Sequence, residues 1–369
     1  MWLLAGCVPV VAALVFLNSM HGAFIWDDYD LLVQNTQIRN IRRVLEPFSL
    51  DHWRKQHMSA GAIYRPLRSA SFALDFHFWR FDPFGYHLTN TLLHAANAAI
   101  VFLVLSALLR NPSLAAISAI LFALHPVHGE AVIWLKNRSD LFAFAFFMLA
   151  VWLFMRAARG DGVRHGLFAL ALAFFLAAAL AKETAIILPL VLTLAALGFS
   201  DLRPRLALAR TLPFWALAAL FVLARLASAH EGTLSSATMP PVHSAVPKTL
   251  GSYACLLFFP SHLNADRSFA HDAAWPLGLV LLVALAVVPL ITKWCNRPGC
   301  TLVAASGRVG FHVSRLKSPS SLVTFGLFWI LITLLPVSNL VPLASRPLAE
   351  QRLYLPSLGA CVALASLAG

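Results

Sequence analysis

The chain begins "MWLLAGCVPVVAALVFLNSMHGAFIWDDYDLLVQN", residues 1–35, and this stretch decides how the rest is read. No charged side chain occurs between Met1 and Leu17, and then Asp27, Asp28 and Asp30 arrive together. Trp26 and Tyr29 flank the acidic pair, and such rings settle at the membrane–water boundary. The apolar run lacks a basic leader, and "LNSMHGAF" is a poor small-residue cleavage site. We therefore expect a retained signal-anchor span rather than a removable signal peptide. The carboxylates then stand where the chain leaves the bilayer.

Composition extends that reading to all 369 residues. The chain is 59% hydrophobic and 12% charged, with a mean hydropathy of +0.75, whereas soluble domains carry about 25% charged residues. The net charge of +12 does not indicate nucleic acid as a partner, because the basic residues fall in short clusters between apolar runs, where they orient a membrane protein. Of the five cysteines, only Cys295 and Cys300 in "CNRPGC" are spaced to pair or hold metal, and two thiols do not complete a zinc site.

A membrane helix needs about 20 mostly apolar residues. Candidate spans cover 1–19, 88–109, 112–125, 139–157, 166–181, 184–200, 211–229, 275–292, 321–337 and 353–369. The predicted fold is all-α, a single polytopic bundle over residues 1–369 with about ten spans. Arg110, Arg156, Arg159, Arg164, Arg203, Arg205, Arg210, Lys293, Arg297, Arg308, Arg315 and Lys317 crowd one set of loops, and the opposite set is poorer in basic residues. The rich set is expected to be cytoplasmic, with the amino terminus inside. Residues 20–87 form a long first outer loop, whose mixed aromatics and charges ("DHWRKQ", "DFHFWRFD") read as interfacial helices. Residues 293–320 form a basic cytoplasmic loop, and 249–260 is too short to cross. There is no internal repeat, P-loop or GxGxxG motif.

Five groups could carry chemistry, each with a plainer alternative. Asp27 or Asp28 caps a following helix or is a general base at a cavity mouth. In "HPVHGEAVIWLKNRSD", His125, His128 and Glu130 form a polar interfacial turn or ligate a divalent metal ion. In "AKETA", Lys182 snorkels or, with Glu183, marks a site for a lipid phosphate. Arg65 and Arg68 in "YRPLRSASFALDFHFW" could fork onto phosphate. "RPLAEQRLYLP" offers Glu350 and Arg352. On the predicted topology all five lie on the outer side, which suits a reaction between a membrane-dissolved donor and an acceptor outside.

Six stretches, "FIWDDYDLLVQNTQIRN", "YRPLRSASFALDF", "PFGYHLTNTLLHAANA", "LFALHPVHGEAVIWLKNRSDL", "AKETAIILPLVL" and "PVSNLVPLASRPLAEQRLYLPSLGA", resemble in order the membrane half of the transmembrane-and-tetratricopeptide-repeat O-mannosyltransferases and their bacterial relatives. These belong to the GT-C glycosyltransferase superfamily. The resemblance runs from residue 24 to about 360 and implies a GT-C bundle. It implies a donor sugar on a polyprenyl phosphate, transfer with inversion to a hydroxyl of a protein or glycan acceptor, and the family's acidic pair at Asp27 and Asp28. The leaving phosphate needs cations beside it, for which Arg65, Lys182 and Arg352 are the candidates. Three departures stand out. No tetratricopeptide repeats occur in these residues, 293–320 is unlike the family, and Gln351 intervenes where members place an arginine after the glutamate. A flippase or transporter of lipid-linked glycan and an inactive scaffold are the rival readings. The Ala-, Leu- and Arg-heavy composition points to a bacterial cytoplasmic membrane, or to the endoplasmic reticulum membrane if the source is eukaryotic.

Overall fold

A computed structural model describes residues 2–49, 64–158, 162–199, 203–228, 242–265, 267, 275–284, 318–340 and 348–368. The cytoplasmic loop expected at 293–320, save its last residues, and the Cys295–Cys300 pair lie outside the described residues. So does the outer loop between 50 and 63. All regular elements among the described residues are helical.

The helices are α1 (Trp2–Val15), α2 (Pro66–Trp79), α3 (Pro83–Leu109), α4 (Pro112–Leu124), α5 (Gly129–Ile133), α6 (Arg138–Ala157) and α7 (His165–Ala181), followed by α8 (Leu188–Phe199), α9 (Pro204–Ser228) and α10 (Val242–Phe258). Then come α11 (Trp275–Ala284), α12 (Pro319–Leu334) and α13 (Ser357–Ala368). Their ends follow capping chemistry. Asp82 accepts from the amide of Phe84 ahead of α3, and Asn111 accepts from Leu114 ahead of α4. Ser318 and Ser321 form a reciprocal capping box at α12. Each of these helices also starts on a proline, which has no amide to leave unbonded. Between α3 and α4, Arg110 takes a left-handed conformation at φ 54° and reverses the chain.

The protein is a multi-pass membrane protein. Among the described residues five helices are long and apolar enough to cross, six if the pair Pro112–Leu124 and Pro126–Ile133, bent by 50°, counts as one span. Four further apolar helices are shorter, so the expected count of about ten is not established by length. The bend has a local cause. Pro126 cannot continue the α4 ladder, and the His125 ring accepts the amide of Val127 to start a new turn. The second span begins at Pro83 rather than at 88, and the interfacial helix expected in the outer loop is α2, preceded by short 3-10 and π turns between Leu17 and Phe48.

The core is built from aromatic and small residues. Phe102, Phe122, Phe144, Phe154, Phe175 and Phe214 are buried in one continuous apolar cluster. α6 packs along α7, α12 along α13, and α1 and α4 along α3. At the α12–α13 contact, Gly326 and Gly359 face each other so closely that a Cβ on Gly326 would meet the Gly359 carbonyl at 2.4 Å. Small residues of this kind let membrane helices approach. Leucines 212, 220, 223 and 226 of α9 point outward, as a lipid-facing helix requires.

Candidate active site

The acidic turn and the "WLKNRSD" turn are locked together. Asp28 is buried, and its two carboxylate oxygens accept the backbone amides of Ile25 at 3.2 Å and Lys136 at 3.0 Å. Burial pushes its carboxyl up to about 6, opposed by those two amides. Asp27 is different. Its side chain is 43% exposed and pairs with Lys136 Nζ, which also lies over the Trp134 ring. Trp26 meets Trp134 edge to face, with centroids 5.0 Å apart. The adjacent aspartates are thus unequal: one fastens the turn, the other faces water.

A buried anchor holds the helices beneath this turn. Arg138 is wholly buried at the start of α6, and its guanidinium pairs with Asp75 of α2 at 2.5 Å. It also donates to Asn90 Oδ1 at 2.6 Å and to the Tyr86 carbonyl at 2.9 Å on α3, and packs over Phe72. One side chain therefore ties α2, α3 and α6. Nothing in the sequence singled it out, although three charges in "KNRSD" at a membrane edge were a usable signal.

Cations gather next to the acidic turn. Arg65, mostly buried, pairs with Glu183 at 3.2 Å. Arg68, one turn further along α2, is buried, and its Nε has no acceptor among the described residues. Burial and the neighbouring Arg65 lower it to about 9, while Glu183, Asp27 and Asp28 act in the opposite sense. Arg225 lies in the last turn of α9. It donates to the Tyr64 carbonyl at 3.3 Å and so joins this end of the bundle. Lys182 is buried and donates to Asp140 Oδ1 at 2.5 Å. Lys182, Asp140 and Arg352 line one cavity with Thr184, Thr333 and Tyr354.

A second cavity opens deeper along α6 and is lined only by apolar side chains, among them Met148, Val151, Met155, Phe325 and Trp329. The polar cavity takes Phe144 and Phe147 from α6 and Thr333 from α12. Residues three and four apart share a helix face, so the two cavities follow each other down the same faces of α6 and α12. The far end of α6 is about 30 Å away for its 20 residues. There, Arg210 donates to the Ala158 carbonyl at 2.8 Å.

Of the two readings of His125, His128 and Glu130, the contacts favour the polar turn over a metal set. Among the described residues no three His, Cys, Asp or Glu side chains are grouped to hold a metal ion. His125 uses one ring nitrogen on the Leu257 carbonyl at 3.0 Å and the other on the Val127 amide. His128 is fully buried against Ser357 Oγ at 2.8 Å. Glu130 accepts the Gln351 backbone amide at 2.9 Å, and the Gln351 side-chain amide, oriented to donate, reaches both Glu130 oxygens. The three residues fasten the bent span to α10, α13 and the 350–353 turn. Glu350 is likewise engaged, accepting from the Asn264 amide at 2.7 Å and from Arg267 at 3.1 Å.

With that geometry established, the relatives can be compared. The chain is 27% identical over 409 residues to human protein O-mannosyl-transferase TMTC4, covering 97% of this chain and 54% of that protein. Human protein O-mannosyl-transferase TMTC3 is 27% identical over 404 residues, 97% of this chain and 41% of that protein. The chain resembles protein O-mannosyltransferases over nearly its whole length. Protein O-mannosyl-transferase Tmtc1 of Drosophila melanogaster is 34% identical over 185 residues, 50% of this chain and 21% of that protein. The chain spans about half or less of the length of these relatives. No family model matches, and no solved structure matches.

Proposed function

We propose that the protein is an inverting glycosyltransferase of the GT-C type, moving a sugar from a polyprenyl phosphate to a hydroxyl acceptor at the outer face of the membrane. The observation that carries this reading is the one-ended placement of unlike groups. A half-exposed carboxylate, Asp27, stands on the same turn-and-helix assembly as buried Arg65 and Arg68, and Arg65 leads through Glu183 to Lys182 and the Arg352 cavity.

Each part has a chemical task. Asp27 accepts the acceptor's hydroxyl proton as the oxygen attacks the anomeric carbon. The bond from that carbon to the phosphate oxygen breaks, and polyprenyl phosphate leaves with the electron pair. Lys182 and Arg352 stabilise the charge that develops there, with Arg65 and Arg68 behind them. Attack from the face opposite the leaving group inverts the anomeric centre. Asp28 positions Asp27 by holding the turn against Lys136. The apolar cavity along α6 suits an isoprenoid chain whose phosphate sits at the polar end. The relatives' names support a protein hydroxyl as acceptor and mannose as the sugar. We place the enzyme in a bacterial cytoplasmic membrane, on composition.

The direct test is transfer in proteoliposomes with radiolabelled polyprenyl-phosphate mannose and extracted surface proteins. Label moving onto protein supports the reading. Lipid crossing the bilayer without transfer points to a flippase, and neither result leaves an inactive scaffold.

A further inference from the structure

Lys182 and Arg352 account for a phosphate in the polar cavity, but Asp140 does not. A carboxylate can accept several hydrogen bonds, and Asp140 uses only part of that capacity. Its Oδ1 takes Lys182 Nζ at 2.5 Å. Its Oδ2 is buried without a hydrogen-bond partner among the described residues, and the side chain is only 8% exposed. A buried acceptor without a donor is costly. Ala143, Phe144, Phe147 and Leu355 in the lining cannot donate, and Thr184, Thr333, Arg352 and Tyr354, which share the cavity, make no hydrogen bond to Oδ2. A phosphate would be repelled by it. A neutral hydroxyl would satisfy it.

We propose that Asp140 is a specificity-determining residue that reads the donor's sugar. Its free Oδ2 accepts a hydrogen bond from one ring hydroxyl while Lys182 and Arg352 hold the phosphate in the same cavity. The aromatic rings of Phe144 and Tyr354 give the sugar an apolar wall to rest against. This assignment rests on the lipid-donor reading above and adds to it the atom that selects the sugar.

The test measures binding of polyprenyl-phosphate mannose, its monodeoxy analogues and bare polyprenyl phosphate to the full chain in nanodiscs. One analogue should bind about ten- to a hundredfold more weakly than the parent, the loss expected for a hydrogen bond to a charged group. In Asp140→Asn, Lys182 keeps its contact at Oδ1 while an NH2 replaces the accepting oxygen. That variant should lose the discrimination against the same analogue and bind bare polyprenyl phosphate within about threefold of wild type. Equal binding of all analogues by wild type overturns the proposal, whether or not the variant folds. So does discrimination that persists in Asp140→Asn, or a variant that weakens every lipid alike, as a purely structural Asp140 would. If wild type binds neither the loaded nor the bare lipid, the donor reading itself falls, and this assignment with it.

Discussion

Replacing Lys182 by methionine separates two consequences that sequence alone merges. A lysine that merely snorkelled would be replaced at little cost in stability. In the fold it is buried, with its side chain 9% exposed and that of Asp140 8%, and the two are 2.5 Å apart. Lys182→Met therefore leaves an uncompensated carboxylate in the core, which costs about 3–5 kcal/mol. Replacing both partners, Lys182→Met with Asp140→Leu, removes the stranded charge, and such apolar replacements are often neutral. The double variant should recover most of the lost stability. Thermal unfolding in detergent reads both effects, and the rescue is the informative part. The rescued protein then isolates the lysine's role in binding, because one charge-assisted contact to phosphate is worth about 1.5–3 kcal/mol, or roughly ten- to a hundredfold in affinity for bare polyprenyl phosphate. A Lys182→Met single variant as stable as wild type would refute the buried pair.

Other expectations follow from the same geometry. The Asp28 carboxyl is raised from 3.8 to about 6, so the folded state holds its proton more tightly than the unfolded chain. Its contribution is full below about pH 4 and fades as pH rises through 6, on the order of 3 kcal/mol. Asp28→Asn should flatten that limb of the stability profile between pH 4 and 7; parallel profiles would contradict the assignment. Gly326→Ala drives a methyl group into the Gly359 carbonyl at 2.4 Å and should lower the melting temperature sharply, since overpacking costs about 1–3 kcal/mol; an unchanged melting temperature would mean the helices do not approach so closely. For topology, a cysteine at Asp30 should label from outside and one at Gly162 from the cytoplasm. The reverse would overturn the outer-face site.

Much of the fold was legible because membrane helices announce themselves by composition. Every apolar run expected to span begins a helix, from Trp2 in α1 to Ser357 in α13, because lipid leaves the backbone no other way to satisfy its amides. The number of crossings was less legible. Helices such as His165–Ala181 and Ser357–Leu367 are apolar but short, and no sequence rule says whether a short one crosses. The stretches carrying the site were legible as charges at membrane edges. Their pairings were not, because Arg65 with Glu183, Asp27 with Lys136 and Lys182 with Asp140 join positions far apart in the chain. The choice between a polar turn and a metal set at the histidines was not legible, because spacing cannot show that both His125 nitrogens are taken by Leu257 and Val127. Asp27 and Asp28 looked alike in sequence, and only the packing of the Lys136 amide against Asp28 tells them apart.

That difference gives the central claim its most direct test. Asp27 is half-exposed and paired with a partly exposed lysine, so losing its charge costs the fold little. Single-turnover transfer from polyprenyl-phosphate mannose should fall by about 10²–10⁴-fold in Asp27→Asn, the range for a lost general base, with melting temperature and donor affinity unchanged. Turnover equal to wild type in Asp27→Asn would contradict the account.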